Sequence, residues 1–258
     1  MSKHFFFALI LASRIYGLDD LCAQAKPKTA DSTATNVRVP FVGCRSDGQT
    51  GPLEAPNGQP KVVDLSAEAA KQLAYFQAEE GIGVLAPRGW YCFAIYGSNG
   101  NSLFVSPRPI NPSDLFSAEW KGFTGPAIQV SASIGDTSGR FKVAETIARV
   151  FPAHSAFLRR VIAEGIEPAS SFPSGPYPND KLLYHSDDFV EYETPAESKG
   201  LGTDSRLKPN DSPICGFALL TGETPDLIFL AIRLPAEFAT LTAAILHQAV
   251  HEGTSFAP

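Results

Sequence analysis

Residues 214–233 read ICGFALLTGETPDLIFLAIR. Two apolar runs, Ile214 to Leu220 and Leu227 to Arg233, flank the turn-forming Thr221-Gly222-Glu223-Thr224-Pro225. Neither run alternates with polar residues as a half-exposed strand would. The pair therefore predicts a β-hairpin in the middle of a sheet that is covered on both faces. Pro235 follows in the first turn of a helix expected to run to about Val250.

Working outward from this hairpin, Trp90 to Tyr96 and Leu103 to Ser106 predict a second one around Gly97-Ser98-Asn99-Gly100-Asn101. Lys181 to His185 and Phe189 to Thr194 predict a third, joined by Ser186-Asp187-Asp188. Ala127 to Ile134 alternates Ile128, Val130 and Ala132 with Gln129, Ser131 and Ser133, a strand whose polar face is exposed or paired through hydroxyls. Val37 to Cys44 reads as a strand bent or held to an edge by Pro40. Helices are expected over 67–80, with Ser66 as N-cap, and over 141–151 and 154–164, separated by Pro152. Hairpins with segregated helices define an α+β fold, a mainly antiparallel sheet with helices packed on it, in a single domain spanning 37–258.

The N-terminus predicts export. Lys3 and His4 precede eight apolar residues, Phe5 to Ala12, whereas a membrane-spanning helix needs about 20. Ala23-Gln24-Ala25 supplies small residues for a cut between Ala25 and Lys26, which makes 1–25 a signal peptide and 26–36 a polar, flexible spacer. The stretch from Ser13 to Cys22 is long for such a signal and carries Arg14, Asp19 and Asp20, so an earlier cut near Ala12 is the alternative. A lipidated Cys22 fits poorly, because Leu18-Asp19-Asp20-Leu21 puts acids where a lipobox has small apolar residues.

The full chain has 21 Lys and Arg against 27 Asp and Glu, a net charge of −6. Residues 1–25 hold two of each sign, so the mature chain keeps 19 against 25. This balance, with no run of basic residues, excludes a nucleic-acid partner. No later stretch is long and apolar enough to span a membrane in the mature form. Phosphate-binding glycine motifs are missing, so no cofactor is expected. Three cysteines follow the predicted cut. In a secreted or periplasmic protein they predict one disulfide, Cys44 with Cys92, leaving Cys215 to pack as a small apolar side chain.

Candidate chemistry is sparse. His247 and His251 share a helix face but lack the glutamate that a zinc protease places after its first histidine. His185 with Asp187, Asp188, Glu191 and Glu193 forms an acidic cluster without calcium-loop spacing. The nucleophile-elbow pattern Gly-x-Ser-x-Gly is missing, and Ser98 belongs to a predicted turn. The densest recognition chemistry is Arg88, Trp90, Tyr91 and Tyr96, residue types that make ligand platforms as readily as strand cores. These observations point to an exported binding or interaction module for a small molecule, glycan or protein. The alternative is an exported hydrolase whose active residues come from the long loops 166–180 and 195–213.

Overall fold

The computed structural model describes Cys22 and residues 35–256. Apart from Cys22, the predicted signal peptide and the bond between Ala25 and Lys26 lie outside the described residues, as does most of the predicted spacer. Of that spacer only Thr35 and Asn36 are described, and both belong to a strand. Pro40, which has no N–H to give a ladder, divides the first predicted strand into β1 (Thr35–Val39) and β2 (Phe41–Gly43). β3 (Ser46–Gly48) arises in what sequence alone reads as loop, and β4 (Lys61–Leu65) pairs antiparallel with β1 as a separate ribbon.

The helix expected over 67–80 is mostly something else. α1 covers only Ala67–Gln72, with Ser66 Oγ accepting from Ala69 N at 3.2 Å, and Leu73–Gln77 is a strand, β5. Leu73, Ala74, Tyr75 and Phe76 are all buried. A helix would bury one stripe of them. The extended chain buries all four, because β5 lies between β2, which it meets in parallel, and the antiparallel β6 (Val84–Pro87).

β7 (Tyr91–Gly97) and β8 (Gly100–Ser106) make the second predicted hairpin, with a tighter turn than expected. Gly97 pairs with Gly100, so only Ser98 and Asn99 form the loop. Gly100 has φ +129°, and a Cβ there would collide with the Ala132 carbonyl. After α2 (Pro112–Phe116) come β9 (Ala127–Ser133), α3 (Arg140–Val150) and α4 (Ser155–Ala163), the two helices broken at Pro152 as predicted. β10 (Lys181–Tyr184), β11 (Phe189–Thr194), β12 (Ile214–Thr221) and β13 (Asp226–Arg233) complete the strands. The last helix starts later and ends later than predicted: a 3-10 turn covers Ala236–Leu241, and α5 runs Thr242–Ser255.

The large sheet has the order β10-β11-β12-β13-β9-β8-β7-β3, antiparallel throughout except where β3 joins β7. The hairpin of β12 and β13 is therefore central, with every residue of β13 buried. Strand alternation divides its side chains between two cores. Ile228, Leu230 and Ile232 join α5 and the small sheet, while Leu227, Phe229 and Ala231 join α3 and α4. Over β7 and β8, Phe93 and Phe104 pack with Leu115 of α2 in a third, smaller cluster. The polar face of β9 is paired through hydroxyls, Ser131 Oγ meeting Ser102 Oγ at 2.8 Å and accepting from Gln129 Nε2 at 2.9 Å. The fold is α+β, dominated by antiparallel pairing.

Candidate functional site

Two disulfides tie the layers together. Cys44 and Cys92 are bridged with Cα atoms 5.4 Å apart, joining the end of β2 in the small sheet to β7 in the large one. Cys22 and Cys215 form the second bridge, with Cα atoms 6.0 Å apart and a sequence separation of 193. The expectation that Cys215 merely packs is thus corrected: its neighbour in space is a cysteine that the sequence reading assigned to the removed signal.

A groove of about 510 Å³ opens beside the first bridge. It exists because β3 is short. β3 pairs with β7 only from Ala94 to Tyr96, so Tyr91, Cys92 and Phe93 have no strand on that side, and Pro52, Ile110 and Pro112 wall the gap instead. Tyr91 is 50% exposed. Arg45 and Asp47 also border the groove, and so does Ser46, which is 1% exposed with no hydrogen-bond partner for its hydroxyl. Leaving such a group unpaired costs about 1–3 kcal/mol. An unmet hydroxyl beside an open groove is a feature that a ligand can satisfy.

The four residues predicted as a binding surface do not converge. Arg88 donates from Nε to Leu73 O (3.0 Å) and from Nη2 to Ala70 O (2.7 Å), holding α1 to β5. Tyr96 donates its hydroxyl to Gly51 O at 2.6 Å, at the far end of β7. Trp90 is buried, with its ring edge-on to Phe238, though it borders the groove. Only Trp90 and Tyr91 share the site. Sequence alone missed Ser46, Pro52, Ile110 and Pro112, which come from segments whose Gly and Pro content announces loops but not which loops meet.

Loops 166–180 and 195–213 do come together, as interlocked chain. Tyr177 donates to Asp204 Oδ1 (2.7 Å), and Asp180 accepts from Leu201 N (2.8 Å) and Thr194 Oγ1 (2.7 Å). The Arg149 guanidinium lies over the Tyr177 ring at 4.1 Å. Burial pushes both carboxyls, Asp180 and Asp204, above their usual range. Each then takes up a proton in the folded state at a pH where the unfolded chain, near the ordinary value of about 3.9, does not. Stability from this source grows as pH falls through the raised pKa and is lost as pH rises. The stability difference between wild type and Asp204→Asn should therefore increase from neutral pH towards pH ~4. Urea titrations at several pH values check this, and a flat difference would show that the buried carboxyl is not titrating.

The histidine candidates are local ties. His154 Nε2 meets Asp188 Oδ1 at 2.6 Å, and His185 Nε2 meets Glu191 Oε1 at 3.1 Å. Ser186 Oγ, the hydroxyl next to His185 in sequence, accepts from Asp188 N within its own turn. His247 and His251 are both exposed on α5. Among the described residues, one group has metal-ligand spacing: Cys22, Cys215 and Glu193. Its sulfurs are joined to each other and Glu193 Oε1 pairs with Lys181 Nζ at 2.6 Å, so the set lacks the thiolates a metal requires.

Comparison of the chain with family models, with curated proteins and with solved structures finds no match.

Proposed function

We propose that the protein is an exported, disulfide-stapled binding module and that the groove beside Tyr91 takes a carbohydrate. The observation that carries this reading is that a half-exposed tyrosine ring and a serine with a buried, unpartnered hydroxyl, Ser46, line the same open groove. A sugar ring offers an apolar C–H face to an aromatic platform and hydroxyls around its rim. Tyr91 supplies the platform at small entropic cost, and Ser46, Asp47 and Arg45 supply hydrogen-bonding groups of both kinds. Two disulfides suit an oxidising extracellular setting, and among the described residues no helix is long and apolar enough to cross a membrane. The N-terminal apolar run supports export by a cleaved signal.

A hydrolase built on loops 166–180 and 195–213 draws support from the two half-buried carboxyls, Asp180 and Asp204, whose pKa values burial raises. It is the weaker reading, because both oxygens of Asp180 and one of Asp204 already accept hydrogen bonds from the loops they hold.

Titration calorimetry against a panel of soluble oligosaccharides tests the proposal. Tyr91→Ala should change stability by no more than about 0.5 kcal/mol, as an exposed side chain does, and abolish the binding signal. Ser46→Ala should leave stability unchanged or slightly raised, since it removes an unmet polar group, and still weaken binding. Absence of any oligosaccharide signal, or binding that survives Tyr91→Ala, sinks this assignment.

A further inference from the structure

The Cys22–Cys215 bridge changes where the exported chain must be cut. A mature protein starting at Lys26 cannot contain Cys22, yet Cys22 is the residue joined to the first part of β12, 193 positions away. Cys215 is buried at the start of a central strand, and Cys22 is half-buried over a cavity of about 250 Å³ bordered by Glu193, Pro213, Ile232 and Leu234. Cys22 also packs against the core that α5 and the small sheet share. It occupies a place in the folded domain, which a discarded leader has no reason to do.

An independent observation in the sequence points the same way. With the cut after Ala25, the leader carries ten residues between its apolar run and Ala23, including Arg14, Asp19 and Asp20. Moving the cut upstream removes that anomaly. Small residues available for an earlier cut are Ala12, at the end of the apolar run, and Ser13 and Gly17 after it, and a cut at any of them places Asp19, Asp20 and Cys22 in the mature chain.

We infer that the export signal is cleaved between Ala12 and Leu18, and that the retained N-terminal arm is clasped to the sheet through Cys22 and Cys215. Cleavage adds one water across one peptide bond. Closing the clasp removes two protons and two electrons from the two thiols, passed to a disulfide-donating oxidant of the export compartment that leaves as its dithiol. The clasp also takes the Cys22 sulfur out of play for a lipid thioether. The inference rests on the export reading above, and its test separates the two.

The full chain is expressed with its own N-terminus, and the exported form is analysed by intact mass and by peptide mapping without reductant, after alkylation of free thiols. The expected result is a new N-terminus among residues 13–18, no alkylated cysteine, and a linked peptide pair containing Cys22 and Cys215. In an exported Cys22→Ser variant, Cys215 should become alkylatable, one thiol per chain where wild type shows none. An exported chain starting after Cys22, one still starting at Met1, or a lipid mass on Cys22 overturns the inference and leaves export standing. A chain retained in the cytosol with four alkylatable cysteines overturns both.

Discussion

Removal of the Cys44–Cys92 bridge, as Cys44→Ala with Cys92→Ala, should destabilise the domain by about 4 kcal/mol, the chain-entropy cost of releasing a loop of some 50 residues. The bridge closes residues separated by 48 positions. β2 reaches the rest of the molecule through β5 alone within its own sheet, and the bridge fastens its end to β7 of the other sheet. Cys44 is itself core, 1% exposed, with its N–H donating to Gln77 O at 2.9 Å. For a domain of this size the loss corresponds to roughly 10 °C or more in melting temperature. Thermal melts of wild type and the double variant read it directly, and an unchanged midpoint would show that strand pairing alone fixes the two sheets. Because Cys92 lines the Tyr91 groove, the same variant should weaken ligand binding as well.

How much of this was legible in the sequence depended on whether a segment's neighbours are close along the chain. The strands from Phe189 to Arg233 and the pair around Ser98 fold back on their immediate successors, and their patterns predict them to within a residue, except that β8 starts at Gly100, three residues before the expected Leu103. Leu73 to Gln77 is different. Its periodicity suits the helix it follows, and what makes it a strand is its place between Val84 to Pro87 and Phe41 to Gly43, the latter more than 30 residues earlier in a parallel contact that leaves no local signature. The same limit governs the candidate site. Tyr91 stands out as an aromatic in a strand, but Ser46 becomes notable only once β3 is seen to stop short, and nothing near Cys22 announces Cys215. Arg233 belongs here too: a cation closing an apolar run reads as the strand's exit into solvent, and its actual partners lie in two loops that have no pattern at all.

Arg233→Ala should cost about 4 kcal/mol, among the largest effects of any single substitution in this chain. Arg233 is 2% exposed. Its guanidinium makes five hydrogen bonds: Nε and Nη2 donate to Gly125 O at 3.0 and 2.8 Å, Nη2 to Phe123 O at 2.8 Å, and Nη1 to Lys208 O at 2.6 Å and Asn210 Oδ1 at 3.1 Å. Burial pushes its pKa down and the Asp211 carboxylate opposes the shift, but a guanidinium is basic enough to stay charged. Alanine would leave three backbone carbonyls without this donor, at about 1–3 kcal/mol for each that water cannot reach. The planar fork spans both loops at once, which a single ammonium cannot do, so Arg233→Lys should recover no more than about half of the loss. The damage has an address. Phe123 N donates to Arg206 O at 2.7 Å and Lys208 N to Phe123 O at 2.9 Å, and these amides should lose hydrogen-exchange protection when Arg233 no longer holds the two loops together. Urea unfolding of Arg233→Ala beside the exposed Arg38→Ala gives the stability difference, and exchange at Phe123 and Lys208 gives the location. If Arg233→Ala unfolds within about 1 kcal/mol of Arg38→Ala, with both amides still protected, the loops are held by their own backbone pairing and the buried cation is incidental.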